Sequence, residues 1–442
     1  MHNVNRKIFG LGKNLIKHEL ISGSLFIFVG FFISSILSFI LNLFLVRSFT
    51  ASDYGSYASL LSLFVLLGVP AQSLTTVIVR FATDYFAKNK LDESKTLYLR
   101  LLLFTTILSF FLFLGFVIFS VPISDFLHLD SSWYIILTGF IISVGYLGIA
   151  NTAFLQSLLK FPLISFLAVI GGVLRTTIGV LLVFLGFKVF GALWAILAAF
   201  LFPFLYTFIP LRFLITRKKS KDIKFPTREI IGYAFPTSIA ILSLNSFVTT
   251  DVILVKHFFN AHDAGLYGGL SLVGKAIFYF TGPVSSVMFP LLIKRHSLGQ
   301  NFNSLFYLAL IIVIIPSTAI VIFYFLFPSY SINFFLGGRE YLKMSPYLGI
   351  YGFLIIIFSL LNVCVNFFLS LKKTGIFISV GLGAILQIIL ITLFHKTFFH
   401  VIGASLVSSV LVLITILIYY FKEYGSFRKI KETAAFINNL KY

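Results

Sequence analysis

Two stretches of the chain, VRSFTASDYGSYASLLSL at residues 46–63 and VKHFFNAHDAGLYGGLSLV at residues 255–273, repeat one pattern about 210 residues apart. In each stretch, an apolar run is followed by a basic residue and then by the motif Asp-x-Gly-x-Tyr. The motif begins at Asp53 in the first copy and at Asp263 in the second. A shared motif at a shared position is more specific than a likeness in apolar composition. The sequence therefore predicts a protein made of two related halves.

The composition predicts an integral membrane protein. Of the 442 residues, 59% are hydrophobic and 11% are charged, which is more apolar surface than one soluble core of this length can bury. The apolar runs are continuous over about 20 residues, as transmembrane helices require, and lack the alternation of barrel strands. Twelve spans are predicted, at residues 22–46, 56–79, 99–121, 134–159, 162–186, 189–214, 230–255, 266–293, 302–327, 346–371, 374–395 and 399–421.

The distribution of basic residues predicts the orientation. The chain has 34 Lys and Arg against 14 Asp and Glu, and a cytoplasmic N-terminus places 26 of the 34 on the inner side and six on the outer side. Positively charged loops stay in the cytoplasm, so both termini are predicted to be cytoplasmic. The net charge of +20 is thus mostly topogenic and does not indicate a nucleic-acid partner.

The longest basic loop divides the chain near its middle. We predict an N-terminal lobe at residues 1–216, with an amphipathic start over 1–20, a basic cytoplasmic linker at 217–229 and a C-terminal lobe at 230–442. Six spans per half give both halves the same orientation, as parallel repeats, which favour a cavity at their interface. The predicted fold is an all-α membrane protein with two six-helix lobes around a central cavity.

Several motifs resemble those of the polysaccharide (O-antigen type) flippases of the multidrug/oligosaccharidyl-lipid/polysaccharide (MOP) exporter superfamily. The motifs are Asp53-Tyr54-Gly55-Ser56-Tyr57, Arg80-Phe81, and a segment from Asp251 to Pro290 that reads like the family's seventh and eighth helices. The resemblance covers most of the chain and rests on the combination of these motifs with twelve spans and short loops.

The resemblance implies a MATE-like fold whose cavity opens alternately to each side of the bacterial inner membrane. The implied cargo is an undecaprenyl-pyrophosphate-linked oligosaccharide, flipped to the periplasmic leaflet for O-antigen, lipopolysaccharide or capsule-type assembly. The implied partners are this substrate, membrane lipids and a polysaccharide polymerase of the same pathway. No cofactor is expected, although a proton or sodium gradient is a candidate energy source.

Basic residues within or beside the spans are the candidate cargo contacts. Arg175 and Lys275 lie inside predicted spans, where a charge is costly unless it faces a cavity, and cations suit a pyrophosphate. The alternative for each is a structural role, with backbone carbonyls or Asp251 as partner. Arg80 and Lys294 close the second and eighth spans and are candidate cations at the cytoplasmic entrance, or ordinary topogenic charges.

Asp251 is the acid predicted to lie inside a span, and it is a candidate for ion coupling or for a salt bridge with a basic residue. Small polar residues of the first and seventh spans form a candidate polar path, or else hydrogen-bond between helices. These residues are Ser34, Ser38, Asn42, Asn245 and Ser246.

Two other function classes remain open. A drug exporter of the same superfamily has the same spans, but prefers a cationic cargo in an acid-lined cavity. A membrane polysaccharide polymerase is the enzyme alternative, but it needs a substantial external loop, and the loops here are short. The sequence also lacks a catalytic triad, a phosphate-binding glycine loop and a histidine metal cluster. The transporter is therefore preferred over an enzyme.

Overall fold

The computed structural model describes residues 19–87, 90–216, 227–297, 302–371 and 373–424, and these residues are almost entirely helical. The predicted amphipathic start before residue 19, most of the basic linker and the tail after residue 424 lie outside the described residues.

The described residues form fifteen α-helices and two 3-10 helices, and no β-strand occurs among them. In chain order these are α1 (Glu19–Ser48), α2 (Ala51–Ala87), α3 (Leu91–Ile118), α4 (Ser120–Phe126), α5 (Trp133–Ser157), α6 (Phe161–Phe184), α7 (Lys188–Thr216), α8 (Thr227–Ser246), α9 (Thr250–Phe258), α10 (Ala261–Ser297), α11 (Asn303–Leu326), α12 (Pro328–Leu336), a 3-10 helix (Arg339–Met344), α13 (Ser345–Ser370), a 3-10 helix (Thr374–Ile376), α14 (Phe377–Leu393) and α15 (Phe398–Tyr424).

Nine of the helices in the described ranges are long and apolar enough to cross a membrane, and the bent pair α8 and α9 makes a tenth. A chain with this many spans is a multi-pass membrane protein, because a lipid-exposed backbone must satisfy its own hydrogen bonds. The other two predicted spans fall on α10 and on α14, which has 17 residues. The total of twelve therefore stays a prediction.

Contacts divide the chain into two compact units. Unit 1 draws on Met1–Leu45, Ala71–Val121 and Ser131–Ile230. Its core is built on α5, which packs against α3 and α7. A buried polar chain links the three helices, because Tyr98 donates to Asn151 Oδ1 at 2.8 Å and Asn151 Nδ2 donates to Thr207 Oγ1 at 2.8 Å.

Unit 2 draws on Val46–Pro70, Pro122–Asp130 and Ile231–Tyr442. Its central helix is α13, which packs against α10, α11 and α15. In the most apolar stretch of the segment that contains α13, 78% of the residues are buried, against 22% for α3. Unit 2 therefore has a protein-buried core helix, whereas α3 presents exposed phenylalanines suited to lipid.

The seventh predicted span is not one straight helix. It is broken at residues 247–249, where α8 and α9 meet at 52°. Three successive i-to-i+3 bonds replace the α-helical ladder there, beginning with Phe247 N to the Leu244 carbonyl. Polar side chains also bind the local backbone, as when Thr249 Oγ1 donates to the Asn245 carbonyl at 2.8 Å. Such side-chain bonds compete with the helix and bend it.

Candidate functional site

Arg175 lies in α6 of unit 1, is half-buried and turns toward α1. Its Nη1 donates a hydrogen bond to Ser38 Oγ at 3.3 Å. One residue along, Thr176 Oγ1 donates to the Leu37 carbonyl of α1 at 3.2 Å. The guanidinium is therefore positioned by a polar interface between two spans.

The predicted polar path on α1 faces the same helix. A Cβ on Gly172 of α6 would lie 3.0 Å from Ser34 Oγ, so Ser34 and α6 are in close contact. Asn42 is buried, and its Nδ2 donates to the Ser38 carbonyl at 2.7 Å. The structure thus brings Ser34 and Ser38 together with Arg175, while their use as a sugar path stays a prediction.

Asp251 lies in the first turn of α9, directly after the helix break, and is fully buried. Its Oδ2 accepts hydrogen bonds from Tyr267 of α10 at 2.9 Å and from Tyr351 of α13 at 3.0 Å. The Tyr351 hydroxyl also lies 2.9 Å from Ser271 Oγ. This carboxylate oxygen is therefore held by two phenol donors at the N-terminal end of a helix.

The second oxygen of the same carboxylate, Oδ1, has no hydrogen-bond partner among the described residues. Neither Lys256 nor Lys275 forms a salt bridge with Asp251, although Lys275 is close enough to attract it electrostatically. In this structure, Asp251 is therefore hydrogen-bonded by tyrosine hydroxyls and forms no salt bridge with either lysine. A buried oxygen without a donor can accept a proton or bind a small cation.

Lys275 lies on α10 and is half-buried. The neighbouring Gly274 allows the Tyr351 ring to pack directly on α10, since a Cβ there would overlap that ring. The small residue before Lys275 thus positions a partner of Asp251. Whether Lys275 itself contacts cargo stays a prediction.

The polar residues predicted on the seventh span lie at the helix break. Asn245 Nδ2 donates to the Ile241 carbonyl at 2.9 Å, and Ser246 Oγ lies 2.6 Å from Thr250 Oγ1. Both side chains therefore make local bonds that stabilise the bend. Their use as a sugar path, like that of the α1 residues, stays a prediction.

Gln387 of α14 also stabilises the break between α8 and α9. It is fully buried, and its Nε2 donates to the Phe247 carbonyl at 3.1 Å and to Ser405 Oγ at 2.9 Å. The carbonyl freed by the bend is thereby satisfied by a neighbouring helix.

The repeated Asp-x-Gly-x-Tyr motif starts α2 and α10 in the same way. The backbone N–H of Asp53 donates a hydrogen bond to Thr50 Oγ1, and the Thr50 hydroxyl donates to Asp53 Oδ2. Asn260 and Asp263 make the equivalent two bonds, both at 2.8 Å. The aspartates therefore complete reciprocal helix N-caps, which gives them a structural role in both copies.

A cavity of about 610 Å³ lies in unit 2 beside the start of α2. It is lined by residues 46–52, by His262 at the start of α10, and by residues 336–338 with Glu340 and Tyr341. No sequence pattern predicts this cavity, because the segments that line it are far apart along the chain.

The side chains of Arg80 and Lys294, the predicted entrance cations, lie outside the described part of the structure. Their role stays a prediction. The residues that sequence reasoning missed are Tyr267, Tyr351 and Ser271, which surround Asp251. Tyr267 is the last residue of the second motif copy and could have been noticed; Tyr351 and Ser271 belong to no motif.

Comparison with known proteins identifies the family to which the chain belongs. The profile of a family described as polysaccharide biosynthesis protein matches residues 20–296, which is more than half of the sequence. The chain belongs to this family. The matched region includes Arg175, Asp251 and Lys275, and the family resemblance expected from the sequence is confirmed. A search of curated protein sequences finds no match.

Solved structures share the fold of this family member. The MATE multidrug transporter DinF-BH, in complex with R6G, has a TM-score of 0.67 at 15% identity and covers 92% of this chain and 96% of that one. An inward-facing MATE transporter of the MOP superfamily has a TM-score of 0.63 at 13% identity, covering 89% and 96%. Lipid II flippase MurJ has a TM-score of 0.61 at 19% identity, covering 88% and 87%. The predicted MATE-like fold is thus confirmed in its all-helical architecture.

Proposed function

We propose that this chain flips an undecaprenyl-pyrophosphate-linked oligosaccharide from the cytoplasmic to the periplasmic leaflet of the bacterial inner membrane. The flipped unit would feed O-antigen, lipopolysaccharide or capsule-type assembly, with a polysaccharide polymerase acting next. The chain would be a transporter and not an enzyme. Membership in a polysaccharide biosynthesis family, together with an arginine held at a polar interface between spans, supports this proposal.

The chemical problem is to move two phosphates and a sugar chain across about 30 Å of hydrocarbon. The lipid tail can stay in the bilayer, but the headgroup needs hydration and counter-charges. Arg175 offers a guanidinium within α6, and this group binds phosphate oxygens in bidentate fashion. Ser34 and Ser38 place hydroxyls beside it, which supports a polar route along α1.

The proposed architecture has twelve spans in two lobes at residues 1–216 and 230–442, joined by the linker at 217–229, with both termini cytoplasmic. The basic residues concentrated on one side of the spans support this orientation. Alternating access between the lobes would expose the cargo first to one leaflet and then to the other. Lys275 would supply a second cavity cation, and Arg80 and Lys294 would attract the anionic headgroup at the entrance.

Asp251 is the proposed coupling group. Its Oδ1 has no partner in the described structure, so a proton or a sodium ion can bind there without displacing either tyrosine. Asn245 and Ser246 lie at the adjacent helix break and would provide nearby polar atoms. In liposomes with imposed gradients, wild-type transport should respond to one of the two ions and Asp251→Asn transport should respond to neither.

A flippase-deficient strain complemented with this chain tests the main proposal. Arg175→Ala and Lys275→Ala should lower surface polysaccharide, and the double variant Arg175→Glu/Lys275→Glu should abolish it. Lys160→Ala is the matched control, because Lys160 is an exposed base between α5 and α6. Full export by the charge-reversed double variant, at normal membrane abundance, contradicts the proposal.

A second candidate is a cation-coupled drug exporter, which the likeness to MATE transporters and the buried carboxylate of Asp251 favour. Resistance to cationic dyes, without any effect on surface polysaccharide, would select this candidate. Polymer elongation by the purified chain would instead select the polymerase alternative.

A further inference from the structure

The cavity of about 610 Å³ in unit 2 is built from three connections between predicted spans. These are residues 46–52, where α1 ends and α2 begins, the first turn of α10, and residues 336–341 after α12. The distribution of basic residues predicts all three connections on the outer side. The volume lies within the range of about 300–1,000 Å³ that small-molecule sites occupy. None of the residues proposed above to bind phosphate or a coupling ion lines this cavity.

Close backbone packing fixes two of the three walls against each other. A Cβ on Gly55 would lie 2.7 Å from Gly265 N, and a Cβ on Gly265 would overlap the Ala51 carbonyl oxygen. The starts of α2 and α10 therefore touch directly. The segment 46–52 and the first turn of α10 are held at a fixed distance, so the cavity between them is preformed.

Arg47 joins the first wall to the third. Its Nε donates to the Phe335 carbonyl at 3.1 Å, and its Nη2 donates to the Phe334 carbonyl. Both carbonyls lie in the last turn of α12, which ends at Gly337 with a left-handed φ of 70°. The guanidinium is thereby oriented before any ligand arrives. Its Nη1 makes no hydrogen bond to a described residue, so this nitrogen can donate to a ligand.

The polar lining combines donors and acceptors with balanced charge. Arg47 supplies a cation and Glu340 a carboxylate, and no ion pair joins them in the described part of the chain. Hydroxyls of Ser48 and Ser52 and the exposed imidazole of His262 complete the polar set. The carboxylate repels an anion, so phosphate is poorly suited to this lining. A sugar is uncharged, and its hydroxyls can accept from the guanidinium and donate to the carboxylate at once.

An aromatic ring supplies the apolar part of the lining. Tyr341 lines the cavity and is buried, and its ring packs on α10, because a Cβ on Gly269 would overlap it. On the other side, a Cβ on Gly338 would lie 3.2 Å from the same ring. An aromatic surface beside polar groups matches a sugar ring, which has apolar C–H faces and polar edges.

We infer that this cavity binds a sugar of the transported oligosaccharide on the outer side of the membrane. The origin of the sugar in the cargo rests on the proposed function, whereas saccharide binding by the cavity does not. Arg175 and Lys275 are proposed to bind the pyrophosphate, so the two ends of the headgroup have separate contacts. The sugar would gain polar partners at the place where it leaves the protein.

Saturation-transfer NMR tests binding on the full chain, purified in a detergent without a sugar headgroup. The probe is the oligosaccharide repeat unit released from its lipid carrier by mild acid. Wild-type protein should transfer saturation to the sugar ring protons, and Ser48→Trp should abolish this transfer by filling the cavity. Glu340→Gln should raise the Kd by about tenfold, as the loss of one charge-assisted hydrogen bond predicts.

Two control variants match these changes. Ser329→Trp alters an exposed serine in the first turn of α12, and Lys343→Gln alters an exposed residue of the 3-10 helix that carries Glu340; neither residue lines the cavity. Both controls should bind the probe as the wild type does. Absence of transfer from the wild type overturns the inference, as does an unchanged Kd in both cavity variants. Displacement of the probe by inorganic pyrophosphate also overturns it, because the site would then bind anions.

Export separates this inference from the proposed function. In the complemented flippase-deficient strain, Ser48→Trp should lower surface polysaccharide several-fold, whereas Ser329→Trp should not. Equal export by the two variants, at equal membrane abundance, overturns the use of the cavity by cargo. Failure of the wild-type chain to restore any polysaccharide, with binding through the cavity intact, refutes the proposed function and leaves the saccharide site standing.

Discussion

Removing the two tyrosine hydroxyls at Asp251 should destabilise the protein because they bind a charged group. Tyr267→Phe and Tyr351→Phe each delete a buried donor to Oδ2 while keeping the ring. A hydrogen bond to a charged group contributes about 1.5–3 kcal/mol, so the double variant should lose about 3–6 kcal/mol. Tyr351→Phe should cost more than Tyr267→Phe, because the Tyr351 hydroxyl also contacts Ser271.

The charge on Asp251 sets the size of this loss. In an Asp251→Asn background the same hydroxyls make neutral hydrogen bonds of about 0.5–1.5 kcal/mol each, so the double tyrosine change should cost only about 1–3 kcal/mol. The difference between the two backgrounds is the interaction free energy of a double-mutant cycle. Thermal unfolding midpoints of the detergent-purified proteins measure this interaction free energy. The double tyrosine change should lower the midpoint more with Asp251 than with Asn at that position.

Tyr324→Phe is the control for this cycle. Its buried hydroxyl donates to the Val273 carbonyl at 2.9 Å, a neutral acceptor, so its loss should be the same in both backgrounds. Equal midpoint drops for the tyrosine pair with Asp251 and with Asn at that position would refute a charged, tyrosine-bound carboxylate. The coupling role proposed for Asp251 would then lose its structural basis.

Three further changes have defined outcomes. Gly383→Ala should cost about 1–3 kcal/mol because its Cβ would overlap a valine of α15, whereas Gly403→Ala, with no atom within 4 Å, should not; thermal unfolding compares them. Asn151→Ala removes the amide that joins Tyr98 of α3 to Thr207 of α7. Each polar group left without this partner should lower the free energy of unfolding by about 1–3 kcal/mol, which the unfolding midpoint measures. Asn260→Ala removes a helix cap and should cost about 1 kcal/mol by the same assay, while Asn260→Ser should restore most of it.

The spans were predictable because each apolar run must satisfy its backbone internally, and the runs coincide with helices in the structure. The short helices α4 and α12 were not predicted, since seven and nine residues carry too little periodicity to be distinguished from loops. The bend after α8 was also missed. The polar stretch Asn245–Thr250 was visible, but a hydropathy window averages it into one apolar run.

The candidate site was predictable where it depends on local spacing. Ser34 and Ser38 are four residues apart and share a helix face, and this face does meet the helix that carries Arg175. The partners of Asp251 were not predictable in this way. Tyr351 is 100 residues away along the chain, and only tertiary packing brings it to the carboxylate.

The motif illustrates the same limit. The repeat revealed that Asp53 and Asp263 are equivalent, and their N-caps follow from local spacing. That the two glycines touch each other depends on how distant segments pack within unit 2. A repeated motif in the sequence therefore indicated importance, while its physical role required the structure.

Transfer of a fluorescent undecaprenyl-pyrophosphate oligosaccharide across the membrane of proteoliposomes tests most directly whether Arg175 and Lys275 carry the headgroup. Loss of one charge-assisted contact of about 1.5–3 kcal/mol corresponds to a rate lower by about 10- to 150-fold, so Arg175→Ala should slow transfer by that amount while Lys160→Ala should not. Transfer at the wild-type rate by correctly folded Arg175→Ala/Lys275→Ala protein would contradict the account.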